Sequence, residues 1–193
     1  MSTVKTTNIA HGSKSGTATL VLDDTGKVTI AEKKLYCPGT IIQVQQGTKT
    51  AAETFTSSSL VDIGLSVAIT PTASSSKILI QANVCAITDS STSHYGGRLQ
   101  LVRGSTLIAQ GDAAGNRNRA TVGVAGDDSA INSSVSPILY LDSPSTTSAT
   151  TYKIQCAHSQ TQPITINAAN SDGDNSTYGL RMISTIIAME VAG

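Results

Sequence analysis

The chain has no tryptophan, one phenylalanine (Phe55) and only five tyrosines in 193 residues. An interior almost free of aromatic rings must be assembled from Val, Ile, Leu and Ala, each of which takes less surface out of water than a ring does. A lone domain built this way is modestly stable, and burial between subunits is the natural supplement. Charge is equally scarce: charged residues make up 13% of the chain and the formal net charge is +0. That balance encodes no general attraction to nucleic acid or to an anionic membrane, so neither is expected as a partner. No apolar run approaches the ~20 residues of a membrane span, which argues against membrane insertion. Met1-Ser2-Thr3-Val4-Lys5 lacks the apolar stretch of a secretory signal, and the expectation is synthesis in a cytoplasm. Cysteine is limited to Cys37, Cys85 and Cys156, an odd, widely spaced set without a C-x-x-C pair. His11, His94 and His158 are scattered too. No zinc site, and no metal or cofactor of any kind, is expected from such spacing; free buried thiols are the plainer reading.

What the chain does have is Ser and Thr, about a quarter of all residues. They fill spacers between short alternating segments, as in Ser136–Cys156, SPILYLDSPSTTSATTYKIQC. There Tyr152, Ile154 and Cys156 fall on one face and Lys153 and Gln155 on the other, the period of a half-buried antiparallel strand. Strand candidates recur over Thr17–Leu22, Lys27–Ile30, Ile41–Gln46, Glu53–Phe55, Val61–Ile63, Ser66–Thr70, Lys77–Thr88, Leu99–Arg103, Thr106–Gln110, Ala120–Val124, Pro137–Leu141, Thr151–Ala157, Ile164–Asn167 and Tyr178–Val191. Asp23-Asp24-Thr25-Gly26 is a turn signal between the first two, and Gly104-Ser105 suits a two-residue type II′ hairpin. No segment sustains a 3.6-residue apolar period. The expected fold is all-β: an antiparallel β-sandwich, jelly-roll-like, over residues 39–193, with Ile78, Ile80, Val84, Leu99, Leu101, Tyr152 and Ile154 inside. Residues 1–16 are polar and aperiodic and do not fold by composition alone. Residues 1–38 are therefore read as an attachment segment held by another chain. The last strand, Met182–Val191, is apolar on both faces, which calls for a neighbouring subunit against one of them.

Templates for catalysis fail in turn. Gly12-Ser13-Lys14-Ser15-Gly16 carries Lys14 where a nucleophile elbow needs its serine, and neither a P-loop nor H-E-x-x-H occurs. Asp172-Gly173-Asp174-Asn175 matches part of a calcium loop but lacks the later glutamate, so a solvated turn is expected. Asp127 and Asp128 are adjacent, and on an extended chain they point to opposite faces. No catalytic residue is assigned, and the protein is read as a binder, not an enzyme. The most specific polar loop is Gly111–Arg119. Arginine forks there match carboxylates such as those of an acidic sugar. The competing reading is an Asp112–Arg119 or Asp112–Arg117 ion pair that braces the loop. Candidate binding residues are Tyr95, Asp112, Asn116, Arg117, Asn118, Arg119 and Asp174, in loops around Asp89–Tyr95, Asp112–Arg119 and Asp172–Tyr178, because loops on a rigid sandwich vary without disturbing its core.

Ser2–Ile9 followed by Thr17–Leu20 resembles the N-terminal region of tail-fibre-like virion proteins of marine tailed bacteriophages. Gly64–Pro71 leading into Ser76–Ile80, the loop Gly111–Thr121, and the string Leu141–Tyr152 resemble the C-terminal domain of the same proteins, and Ser184–Glu190 is similar to their ending. The resemblance implies a homotrimeric β-sandwich on the surface of a phage particle, assembled in the host cytoplasm. It would be joined to other virion proteins through the N-terminal segment and face a host-surface glycan or protein. It carries no catalytic residue across. The chain has no coiled-coil heptads or G-x-y stretch, which favours a compact knob or short fibre tip over a long fibre. A head or tail decoration or adaptor protein, cementing the particle without binding a receptor, is the alternative.

Overall fold

The structure is a computed structural model, and it describes residues 8–9, 20–22, 28–29, 38–89, 96–127, 132–158, 162–169, 172–177 and 179–193. Among these there are fifteen strands and no helix. Near the N-terminus, β1 (Asn8–Ile9), β2 (Leu20–Leu22) and β3 (Val28–Thr29) form a small antiparallel sheet in that order. The pairing of β2 with β3 agrees with the turn signal between them.

The rest of the described chain forms two sheets. The first contains β6 (Val61–Ile69), β8 (Gly97–Arg103), β9 (Thr106–Leu107), β10 (Val122–Val124) and β13 (Thr150–His158), ordered β10-β8-β13-β6 with β9 on the edge of β8. The second is built around β7 (Lys77–Asp89). Along one edge of β7 run β12 (Val135–Asp142) and the short parallel β11 (Gly126–Asp127). Along the other run β15 (Ser184–Val191) and β14 (Ile164–Ile166). Beyond these lie β4 (Ile41–Lys49), paired to β15, and β5 (Glu53–Phe55), paired to β14. All the pairings in these two sheets except β11–β7 are antiparallel.

Period-two alternation decides which residues meet between the sheets. Ile63, Leu65, Val67, Ile69, Leu99, Leu101, Tyr152, Ile154 and Cys156 from the first sheet pack on Ile78, Ile80, Ala82, Val84, Ile138, Ile164, Ile166, Ile186 and Ala188 from the second. The architecture is therefore an antiparallel β-sandwich, and all seven residues expected inside are buried. At one side the layers nearly touch. A Cβ on Gly47 of β4 would sit 1.9 Å from the Ser66 carbonyl oxygen of β6, so only glycine permits that approach.

Two strand boundaries differ from the sequence reading. Val61–Ile63 and Ser66–Thr70 are one strand, because the Gly64 interruption (φ 77°) is a bulge opposite Lys153–Gln155 and the inward alternation continues through it. Thr106–Gln110 pairs only over Thr106–Leu107, because Ala109 (φ 54°) turns the chain away. Gly104 (φ 59°) does open the hairpin between β8 and β9.

Strand order also fixes the two ends. Connections 70–76 and 143–149, the Gly104–Ser105 hairpin, the entry at Pro38–Thr40 and the C-terminus share one end. Gly39 N–H donates to the Ala192 carbonyl and Ala192 N–H to that of Thr40, both at 2.9 Å, which closes this end. Connection 56–60 and the strand ends at Gly97, Val135, His158 and Ile164 lie at the other.

Candidate functional site

The Gly111–Arg119 loop grows from the edge of β8, on the flank of the sandwich. Its base is tied down by bonds to β8. Ile108 N–H donates to the Leu101 carbonyl (3.0 Å), Thr121 N–H to that of Leu99 (3.0 Å), and Leu101 N–H to the Thr121 hydroxyl (2.9 Å). Gln100 has no exposed surface, and its Nε2 donates to the Ile108 carbonyl at 2.6 Å while its Oε1 accepts from Gln110 at 3.3 Å. A buried amide satisfied in this way anchors the loop stem as firmly as a strand pairing.

Beyond that stem, residues 111–119 are all exposed. The expected Asp112 ion pair with Arg117 or Arg119 does not form. Arg119 Nε instead donates to the Gly111 carbonyl at 2.6 Å and Arg117 Nη1 to the Ala114 carbonyl at 3.2 Å. Bonds to nearby carbonyls need no second long side chain to be ordered, and they brace the loop in the carboxylate's place. A guanidinium has five N–H donors, so each arginine keeps most of its fork for a carboxylate or sulfate arriving from solvent. Asn116 and Asn118 stand exposed on the same loop.

Asp174 lies elsewhere. Its loop leaves the second sheet between β14 and β15, whereas the arginine loop leaves the first, and neither Arg117 nor Arg119 is bonded to it. Asp172 is bonded to Arg181 at 3.1 Å and the Asn175 side chain accepts from Thr177 N–H at 2.8 Å, around an open cleft of about 470 Å³. Two members of the partial calcium motif, Asp172 and Asn175, are thus engaged by residues beyond it. No three His, Cys, Asp or Glu side chains converge as a metal site among the described residues. Tyr95, His94, Asp128 and Tyr178 lie outside the described residues, as does Cys37. Cys85 and Cys156 are free and buried, and burial, reinforced by the Glu53 charge, pushes the Cys156 thiol up to about 12.

Three polar clusters escaped the sequence reading, and all hold the sandwich together. The Tyr152 hydroxyl donates to Asp142 at 2.6 Å, and Arg103 donates to both oxygens of the same carboxylate at 2.9 and 2.8 Å. Burial first, and the carboxylate second, raise the Tyr152 phenol well above its ordinary range. Glu190, with no exposed surface, accepts from Gln43 at 2.6 Å and from both Thr72 N–H and the Thr72 hydroxyl at 2.7 Å. Asn167, equally buried, donates to the Lys49 and Ala51 carbonyls and accepts from the Ser184 hydroxyl at 2.6 Å. Glu190 gave no signal in the sequence: both faces of its strand are apolar, and Ile187, Met189 and Val191 make the other face the more apolar of the two.

No protein-family model matches the chain, and no curated protein matches it either. No helix among the described residues is long and apolar enough to cross a membrane.

Proposed function

We propose that the chain is a structural subunit of a tailed-phage virion, a trimeric fibre-tip or knob whose exposed loops contact the host surface. The observation that carries this reading is the loop Gly111–Arg119: a stem locked into the sheet, an exposed tip, and two guanidinium groups with donors to spare. Such a loop suits an acidic surface glycan, whose carboxylates take paired N–H donors. Single contacts of this kind are weak, and display on several subunits makes them act together. The resemblance of Leu141–Tyr152 and the flanking segments to tail-fibre-like virion proteins supplies the setting.

Purified protein should compete with phage for adsorption to host cells. Arg117→Ala combined with Arg119→Ala should lower that competition at least tenfold, while strand content and oligomeric mass stay unchanged. Equal competition by the double variant would favour the second reading, an adaptor that cements head or tail. A specific feature favours that alternative as well: the outer face of the second sheet is apolar and open.

A further inference from the structure

The two outward faces of the sandwich are built differently. On the first sheet the outer rows are polar and internally paired: Lys153 donates to Asp62 at 2.8 Å and Gln155 to the same carboxylate at 2.6 Å. That is a solvated surface. On the second sheet, strand registers align the outer side chains of β12, β7, β15 and β4 in rows. Leu141, Leu79, Met189 and Val44 make one row, and Leu139, Gln81, Ile187 and Gln46 the next. Pro137, Asn83, Thr185 and Thr48 flank them on one side, and Lys77, Val191 and Ile41 on the other. Leu139 is 71% exposed, Val44 55% and Ile41 52%. Lys77 is the one formal charge in these four rows.

We infer that a second copy of this chain docks on this face. The inference rests on reading the chain as a subunit of an oligomer, and is independent of what that oligomer is attached to. Charge is the first argument. A face with one cation offers nothing to select a charged partner, and two such faces meet without serious repulsion. Its polar members, Gln46, Gln81, Asn83 and the threonines, each carry both donor and acceptor, so they can bond whichever polar groups a neighbouring copy sets against them. Area is the second. Strands of eight residues at ~3.4 Å per residue, set ~4.8 Å apart in four lines, give roughly 500 Å² on each copy. Two copies together reach about 1,000 Å², the size from which specific interfaces begin. The expectation that β15 needs a neighbour on both faces thus acquires an address: Thr185, Ile187, Met189 and Val191 alternate with its core residues and are only half-buried.

The test uses the full chain. Light scattering should report an oligomer at micromolar concentration, and Leu139→Glu or Val44→Glu should weaken it at least about a hundredfold, since each buries an unpaired charge. Gln155→Glu, on the opposite face, should leave the oligomer intact. Because both target side chains are exposed, far-UV circular dichroism of the variants should match the wild type. In parallel, a photo-cross-linking residue at Gln81 should yield covalent multimers and one at Gln155 should not. A monomeric wild-type chain would defeat the oligomer reading itself. An oligomer indifferent to the Leu139 and Val44 charges would leave that reading standing and overturn the interface. Cross-links from position 81 into residues 1–37 of the same chain would overturn it too, by making that segment the occupant.

Discussion

At the scale of single residues, stability in this chain leans on buried polar groups that each serve several partners. Glu190 shows how. Burial, the strongest influence on it, pushes its carboxyl up, yet the hydrogen bonds from Gln43 and Thr72 outweigh burial and hold it below the ordinary glutamate value. Asp62 is also depressed, chiefly by its hydrogen bond from Lys153, but it is largely exposed and water screens the effect. A carboxyl whose folded value lies below its unfolded one binds protons more readily when unfolded. Its contribution is complete above the unfolded value, ~4.3 for glutamate, and disappears as pH falls through the folded value. Urea midpoints should therefore stay level from neutral pH down to about 5 and drop below about 4. Glu190→Gln should lower the midpoint at pH 7, because donors face both carboxylate oxygens and an amide must set its N–H against one of them, Gln43 Nε2 or Thr72, at a cost of roughly 1–3 kcal/mol. It should also flatten the acid limb. An acid limb identical to that of the wild type would show that Glu190 is not the titrating group.

At the scale of elements, the alternating strands were legible and their interruptions were not. Ile78, Ile80, Ala82 and Val84 declare the inner face of β7, and Tyr152, Ile154 and Cys156 that of β13, because period two is a local property. The continuity of β6 through Gly64 was hidden, because a bulge looks like a strand end until its partner is known. Which sheet each strand joins depends on long-range pairing, so the sequence could not say that the arginine loop and the Asp174 loop leave different sheets. Asn167 is the clearest case of hidden work. Just after β14 it adopts φ 61° and bonds to the end of β4, to residue 51 and to the start of β15, while its backbone N–H donates to Cys85 on β7 at 2.9 Å. Asparagine tolerates this left-handed geometry and supplies both donor and acceptor there. Asn167→Gly should keep the backbone but lose the side-chain bonds, and Asn167→Ala should lose both. The alanine variant should thus be the less stable by about 1 kcal/mol, a shift of ~2–4 °C in Tm for a chain of this size. Equal melting temperatures would mean that the backbone relaxes at this position.

At the scale of the whole molecule, the sandwich begins where the chain reaches Gly39 and closes against Ala192. Among the described residues the packed core lies beyond residue 54, and the ladder of β4 with β15 starts at Ile41. The chain thus enters at the end that holds the C-terminus and the 143–149 connection. The arginine loop sits on the flank and connection 56–60 at the far end. This polarity matches a subunit fixed at one end and presented from the other. Among the described residues, the deletion of 2–16 removes β1 from its pairing with β2 but no member of the core and none of the β4–β15 pairs. The truncated protein should keep its strand-rich circular dichroism spectrum, its cooperative melting and the mass of the full chain's proposed oligomer, because the described core and the β4–β15 ladder lie after residue 37. What it should lose is incorporation into assembled particles, measured as copies per virion against the full chain, on the reading of the polar, aperiodic N-terminal segment as the attachment point. Incorporation at the normal copy number would move the attachment point out of residues 2–16. Loss of folding instead would make the N-terminal segment an integral part of the domain.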